Sequence, residues 1–333
     1  MIKKIAKAIL TLLLVLIIGF FLGPKPHFEH VDNHPSTQEF DIKTLNEFVS
    51  NRESKVEYLK PDNEARIVWA DSIPAITEYS IVYLHGFTAS QGEGHPIHLN
   101  LADSLHANLY LPRLPEHGVH YQNAMKDLTP QLLVNSAKEA IAIGKSIGKK
   151  VILMGCSTGG TLAIYLASGD SDIEALVLLS PNIALASKSA SLMTGPWGRF
   201  LTYQLVGEYT KRNSESENPS TKYWTSLAHN NGLIALQSLI DQTMTDDVFN
   251  AIKTPVYCGY YYKNDEEHDH TVSVEAIMRF KEEIGSFTGD IEWDTFERGG
   301  HVLGSVYRNE HWKEVQDEVW FFLKRKIAAR VLE

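Results

Sequence analysis

From about Asp41 onward, short and nearly continuous apolar runs alternate with longer stretches whose apolar positions recur at helical spacing. The runs Tyr79–Leu84, Asn108–Leu111, Val151–Met154, Ala175–Leu179, Val256–Tyr262 and Ile291–Phe296 predict strands. Between them His98–Ala107, Leu132–Ile147 and Thr161–Ala167 read as helices. Strands that are apolar along their whole length need cover on both faces, so the alternation predicts an α/β protein with a mostly parallel central sheet flanked by helices. Ahead of it, Leu45, Phe48 and Val49 mark a short amphipathic helix, and Val56 to Leu59 with Ala65 to Ala70 flank a Pro61-Asp62-Asn63 turn as a hairpin. One interruption stands out. Pro181 and Pro255 enclose about 70 residues containing Trp197, Phe200, Tyr203 and Trp224, too many for a plain crossover. They predict a helical insertion over one end of the sheet. The expected division is 1–23 as an N-terminal apolar segment, 24–54 as a linker and lead-in helix, 55–183 with 251–333 as the core, and 184–250 as the insertion.

The first segment has the charged-then-apolar order of a signal peptide or signal anchor: Lys3, Lys4 and Lys7, then no charge from Ala8 through Leu22. At about 1.5 Å per residue that run reaches about 22 Å of a roughly 30 Å hydrocarbon core, and Ile5 to Gly23 reaches about 28 Å with Lys7 snorkelling. Phe20, Phe21 and Leu22 stand where a cleavage site needs small residues, and no Cys follows to accept a lipid, which favours a retained membrane anchor over a cleaved, secreted form. The lysine bias favours an inside N-terminus and an extracytoplasmic body. Gly23-Pro24-Lys25-Pro26 and the polar stretch after it read as a linker.

Composition narrows the chemistry. With 31 Lys and Arg against 41 Asp and Glu the formal charge is −10, which disfavours nucleic-acid partners. Two cysteines make neither a disulfide scaffold nor a Cys-rich zinc site, and H-E-x-x-H is absent, so no metal or cofactor is expected.

The informative motif is Gly155-Cys156-Ser157-Thr158-Gly159-Gly160, a G-x-S-x-G between a predicted strand and a predicted helix. On such a turn the central side chain is held out above the sheet edge, and the glycines are needed because side chains there would collide with the neighbouring strand and helix. Ser157 is therefore the candidate nucleophile, and Cys156, one residue early, reads as a small buried residue. Serine needs a base, an orienting carboxylate and an oxyanion site. His301, in Arg298-Gly299-Gly300-His301-Val302 after the last predicted strand, is the candidate base. The carboxylate should follow Val256–Tyr262, where Asp265 and Asp269 compete. Asp269-His270-Thr271-Val272 places an apolar residue at the start of the next helix, which favours Asp269. The backbone amides of Thr158 and of Phe87, in Tyr83-Leu84-His85-Gly86-Phe87-Thr88, are the candidate oxyanion donors, and His85 reads as a loop-shaping residue.

These pieces, with Leu111-Pro112-Arg113-Leu114-Pro115-Glu116-His117-Gly118, resemble the α/β-hydrolase superfamily, in particular its monoacylglycerol-lipase-like and bacterial carboxylesterase branch (serine aminopeptidase S33, hydrolase 4). The resemblance runs from about Ile67 to Arg325 and implies an α/β-hydrolase fold with residues 184–250 as a helical cap. It also implies Ser157, Asp269 and His301 as the triad and Phe87 and Thr158 at the oxyanion hole. Glu116 departs from the first glycine of the family's "GHG", and Cys156 and Thr158 from its commoner His and Met around the serine. The expected activity is hydrolysis of a small-molecule carboxylic ester through an acyl-enzyme. An aminopeptidase using cap acids such as Glu208 or Asp241, an acyltransferase, and a non-catalytic membrane-tethered binding protein are the alternatives.

Overall fold

The computed structural model describes residues 2–211, 220–285 and 290–331. Helix α1 (Ile2–Phe21) is exposed along its length and is long and apolar enough to cross a membrane, as a signal sequence also is. Residues 24–41 have no regular structure, yet Phe28 and Val31 pack against the core. The Val31 amide donates to Gln242 (3.1 Å), and its carbonyl accepts from the Tyr165 hydroxyl (2.9 Å). Asp41 then caps α2 (Ile42–Glu53) by accepting from the Lys43 amide, and Leu45, Val49 and Glu53 face inward at helical spacing.

Next come β1 (Arg66–Val68), β2 (Thr77–Leu84), α3 (Ile97–Leu105), β3 (Asn108–Leu111), α4 (Pro130–Ile147), β4 (Gly148–Cys156), α5 (Thr158–Ala167) and β5 (Ile173–Leu179). The interruption holds a 3-10 turn (Ala190–Met193), α6 (Gly198–Leu205), β6 (Tyr209–Lys211), α7 (Ser220–Tyr223), β7 (Leu227–His229), α8 (Asn231–Thr243) and α9 (Asp246–Ala251). β8 (Val256–Tyr261), α10 (Val274–Glu283), β9 (Ile291–Phe296) and α11 (Trp312–Val331) complete the chain. The sheet runs β1-β3-β2-β4-β5-β8-β9, parallel except for β1. The order reverses between β2 and β4, and in an open α/β sheet the crevice beyond the carboxyl ends at such a reversal is where ligands bind.

Side chains alternate across the sheet. Val82, Leu84, Leu153 and Leu178 pack with Leu133, Ile143, Leu162 and Leu236 on the side of α4, α5 and α8. Ile81, Tyr83, Met154 and Val177 pack with Ile97, Leu101, Val319 and Phe322 on the side of α3 and α11. Each such fully buried aliphatic side chain contributes about 1.5–3 kcal/mol, so both faces are committed and neither can open cheaply.

Two features differ from the sequence reading. The expected hairpin across Pro61-Asp62-Asn63 does not form. β1 instead pairs antiparallel with β3, Ile67 opposite Tyr110, while Leu59 bridges to Val119. An open β3 edge would leave its main-chain groups unpaired, and β1 covers it. Asp62, in the left-handed region (φ +66°), is held instead by the side chains of Arg66, Lys222 and Tyr223. The insertion, expected to be helical, also contains the antiparallel pair β6–β7. Asn230 locks that pair: its amide donates to the Glu208 carbonyl (2.8 Å), its Nδ2 to the Gly207 carbonyl (2.8 Å), and its Oδ1 accepts from Thr210 (2.8 Å).

Candidate active site

Ser157 sits between β4 and α5 with φ +52° and ψ −117°, a conformation non-glycine residues seldom adopt. The surroundings impose it. Its amide donates to the Leu179 carbonyl (3.1 Å), and its carbonyl accepts from the Thr161 and Asn182 amides (3.1 and 3.0 Å). The glycines have physical reasons: a Cβ on Gly159 would stand 1.9 Å from the Leu84 carbonyl oxygen, one on Gly155 2.5 Å from the Gly159 carbonyl oxygen, and one on Gly160 2.8 Å from the Pro181 side chain. Cys156 points into the α3 side of the core. Burial first, and then the charge of Glu93, push its thiol well above its ordinary pKa, so it is no nucleophile.

His301 follows β9 on a loop turned by Gly299 and Gly300, both at positive φ (+101° and +68°). Its Nδ1 lies 2.6 Å from Asp269 Oδ2. Asp269 is buried, and its Oδ1 accepts from the Thr271 and Val272 amides (2.8 and 3.2 Å). A carboxylate fixed in this way orients the ring and selects the Nδ1–H tautomer, leaving Nε2 as the basic nitrogen. Asp265 lies on an exposed tip and accepts from the Tyr262 hydroxyl (2.9 Å). Ser157 and His301 line one cavity of about 750 Å3, together with Phe87. Among the described residues no hydrogen bond joins Ser157 to His301; such contacts are commonly loose without a substrate and tighten in its complex.

Phe87 follows Gly86 on the turn after β2, where a Cβ on Gly86 would lie 3.0 Å from the Ser157 Cβ, and Thr158 takes the first position of α5. Neither backbone amide donates to another protein group among the described residues. The Leu114 amide donates to His85 Nε2 (3.1 Å), so Nδ1 carries the proton and donates to the Gly86 carbonyl (3.0 Å). Burial lowers His85 to about 4, keeping it neutral. It shapes the loop.

The stretch after β3 supports this turn. Arg113 donates from Nε and Nη2 to the buried Glu53 (2.7 and 3.3 Å) and from Nη1 to the His117 carbonyl (3.1 Å). Glu116 has φ +65°, which explains why a glycine suits the position; its carboxylate accepts from the Met125 amide (3.2 Å) and the Tyr121 hydroxyl, compensating the strain.

Sequence reasoning missed Glu93. It is fully enclosed yet lines the cavity, accepting from the Gly86 amide and the Tyr83 hydroxyl. Burial pushes its carboxyl up to about 7, against the opposing pull of the Gly86 amide and the charge of His301. The available signal was an acid between two glycines, Gly92 and Gly94, each packed on a tyrosine ring (Tyr223 and Tyr83).

Phe87, Leu185, Ala228, Leu233, Leu236 and Val302 give the cavity apolar walls, and Asn182, Thr225, Asn230 and Arg308 add polar groups. A hydroxyl on a forced turn, an oriented imidazole and two free amides form an arrangement able to attack a carbonyl carbon and hold the resulting anion.

Comparison with known proteins agrees with this architecture. A thermostable monoacylglycerol lipase from Bacillus sp. (strain H-257) is 30% identical over 115 residues, 34% of this chain; the chain matches 45% of that relative's length. Among solved structures, one from work on the metagenome-derived lipolytic enzymes LipS and LipT superposes with a TM-score of 0.65 over 80% of this chain and 99% of its own, at 14% identity. Est1E from Butyrivibrio proteoclasticus, with ferulic acid bound, gives 0.54 over 82% and 100%, at 16% identity. At these identities the likeness speaks for the fold. The model of the alpha/beta hydrolase family matches residues 81–318, well over half of the sequence, and the chain belongs to that family.

Proposed function

We propose that the chain is a serine esterase that cleaves small-molecule carboxylic esters, of the monoacylglycerol or short- to medium-chain acyl type, through an acyl-enzyme. The observation carrying this reading is the Ser157 hydroxyl, on its forced turn, sharing one cavity with a His301 ring paired to buried Asp269. Ser157 Oγ attacks the ester carbonyl while His301 Nε2 takes its proton. The tetrahedral oxyanion receives the Phe87 and Thr158 amides, each such donor typically contributing ~10²–10³ in rate. Collapse expels the alcohol, which takes the proton from His301, and Ser157 is left acylated. Water, deprotonated by His301, attacks the acyl carbon; the acid leaves and Ser157 regains its proton. No cofactor enters the scheme.

Residues 184–250 act as the cap, and the apolar walls, in part theirs, favour an acyl chain. The aminopeptidase alternative is less well supported, since neither Glu208 nor Asp241 lines the cavity. Glu208 faces His229 (3.4 Å), and Asp241 accepts from Thr194 and Gln237. The lysines preceding the apolar run of α1 favour a retained anchor that leaves the body outside the cytoplasm. The test is a p-nitrophenyl ester series, acetyl to dodecanoyl, beside amino-acid p-nitroanilides, with Ser157→Ala as control. Ester turnover lost in the variant, with little anilide cleavage, is expected; anilides cleaved faster than any ester would overturn the assignment.

A further inference from the structure

The N-terminal helix touches the insertion at a point that ester cleavage does not require. The indole Nε1 of Trp197 donates to the Phe20 carbonyl (3.1 Å), and the Trp197 amide donates to the Pro24 carbonyl (2.7 Å). A Cβ on Gly23 would lie 2.0 Å from the indole nitrogen, so that glycine admits the ring. Trp197 is the residue preceding α6, which places α6 and the 3-10 turn beside the exit of α1. The same face leaves large apolar side chains in solvent: Leu192 is 44% exposed, Phe200 58%, Leu205 72% and Val206 50%. Its charges are also unusual for this chain. The two charged residues between Glu174 and Glu208, Lys188 and Arg199, are both exposed cations in a protein of net charge −10, and the carboxylate that α8 brings to this segment, Asp241, is bonded to Thr194 and Gln237.

A second cavity lies between this face and the Ser157 cavity. About 220 Å3 in volume, it lies between the 3-10 turn, α6 and α8. Its wall includes the exposed Leu192, Leu205 and Val206, and Leu185, Leu233 and Thr271 line both it and the Ser157 cavity. Leu185, Leu233 and Thr271 thus form a wall shared by a cavity bordered by this apolar face and the reaction chamber.

We infer that the face made by α6 and the 3-10 turn is seated in the headgroup and upper acyl region of the bilayer that α1 crosses, and that the ester's acyl chain enters from that bilayer through the smaller cavity. The inference rests on the reading of α1 as a retained anchor and of the cavity as an esterase site. Apolar side chains flanked by cations beside a spanning helix have the chemistry of an interfacial surface, where buried apolar area and attraction to anionic lipid add.

Both native cysteines, Cys156 and Cys258, are buried, so a single cysteine introduced by Phe200→Cys accepts an environment-sensitive NBD label selectively. The full chain is reconstituted into vesicles of phosphatidylcholine and phosphatidylglycerol carrying a nitroxide lipid. Ile73→Cys, exposed ahead of β2 and therefore at the amino end of the parallel strands rather than the carboxyl end that carries Ser157, is the reference. Strong quenching at position 200 and little at 73 is expected. Protein that fails to float with the vesicles removes the anchor reading and the inference with it. Floating protein whose label at 200 is quenched no more than that at 73 overturns the docking alone. In a second arm, Phe200→Glu lowers hydrolysis of a long-chain monoacylglycerol held in the vesicles about tenfold or more and leaves a water-soluble ester unaffected. Equal loss on both substrates, or loss on neither, contradicts the inference.

Discussion

Asp269→Asn separates orientation from bulk at the imidazole. The carboxylate makes three contacts: Oδ1 accepts from the Thr271 and Val272 amides, and Oδ2 faces His301 Nδ1. In the variant the side-chain oxygen must keep the two backbone donors, because turning the amide round would set its NH2 against two N–H groups and cost about 1–3 kcal/mol for each unmade bond. The NH2 therefore points at Nδ1 and donates to it. His301 is driven to the tautomer with its proton on Nε2, where it cannot accept from Ser157. Such a tautomer reversal lowers kcat by about 10⁴, equivalent to about 5.5 kcal/mol of transition-state stabilisation. The assay is p-nitrophenyl ester turnover over a range of pH, with circular dichroism to verify folding. Asp265→Asn, at an exposed position bonded to Tyr262, keeps the wild-type rate. A folded Asp269→Asn variant within about tenfold of wild type, or a matching loss in Asp265→Asn, would refute the reasoning.

Three further outcomes are expected. Gly159→Ala forces a Cβ to 1.9 Å from the Leu84 carbonyl oxygen, backbone that cannot yield without moving β2, and should cost at least about 3 kcal/mol in urea unfolding; a near-neutral result would show that the turn is not locked. Glu93, raised from 4.5 to about 7 by burial, holds its proton more tightly folded than unfolded. Its own contribution to stability therefore declines as pH rises from about 4.5 through about 7, by about 3 kcal/mol, opposite in sign to that of buried His85, so the stability of wild type relative to Glu93→Gln falls by that amount across the range; parallel stability curves for the two proteins would contradict this. Arg113→Met leaves buried Glu53 with the Ala65 amide and a 3.7 Å contact to Arg52, costing about 3 kcal/mol in thermal or urea unfolding, and Glu53→Gln in the same chain recovers part of it; no loss in the single variant would dismiss the pair as a support of the loop.

The turn that carries Ser157 is legible in sequence because its constraints are local. Gly155, Gly159 and Gly160 each stand where a Cβ would strike something fixed, and that need shows as a pattern within six residues. The parallel strands are legible because burial on both faces removes polar residues from them. β1 is not, because its partner β3 lies far along the chain and a turn-like Pro61-Asp62-Asn63 imitates a hairpin. Likewise β6 and β7 are three residues each, and their lock is the single side chain of Asn230. Glu93 escapes notice because acids in loops are usually solvated, and only three-dimensional contact with Tyr83 and Gly86 marks it as enclosed. The contact between the N-terminal segment and Trp197 escapes for the same reason: Gly23 and Pro24 read as a linker, whereas the ring they meet comes from residues far along the chain.

The central claim is that Ser157 is the nucleophile. Its most direct test is labelling with a fluorophosphonate, followed by mass spectrometry of the modified peptide. A single adduct on Ser157 is predicted, absent from Ser157→Ala and accompanied by loss of ester turnover. An adduct on another residue, or a pure Ser157→Ala protein that still hydrolyses esters, would contradict the account.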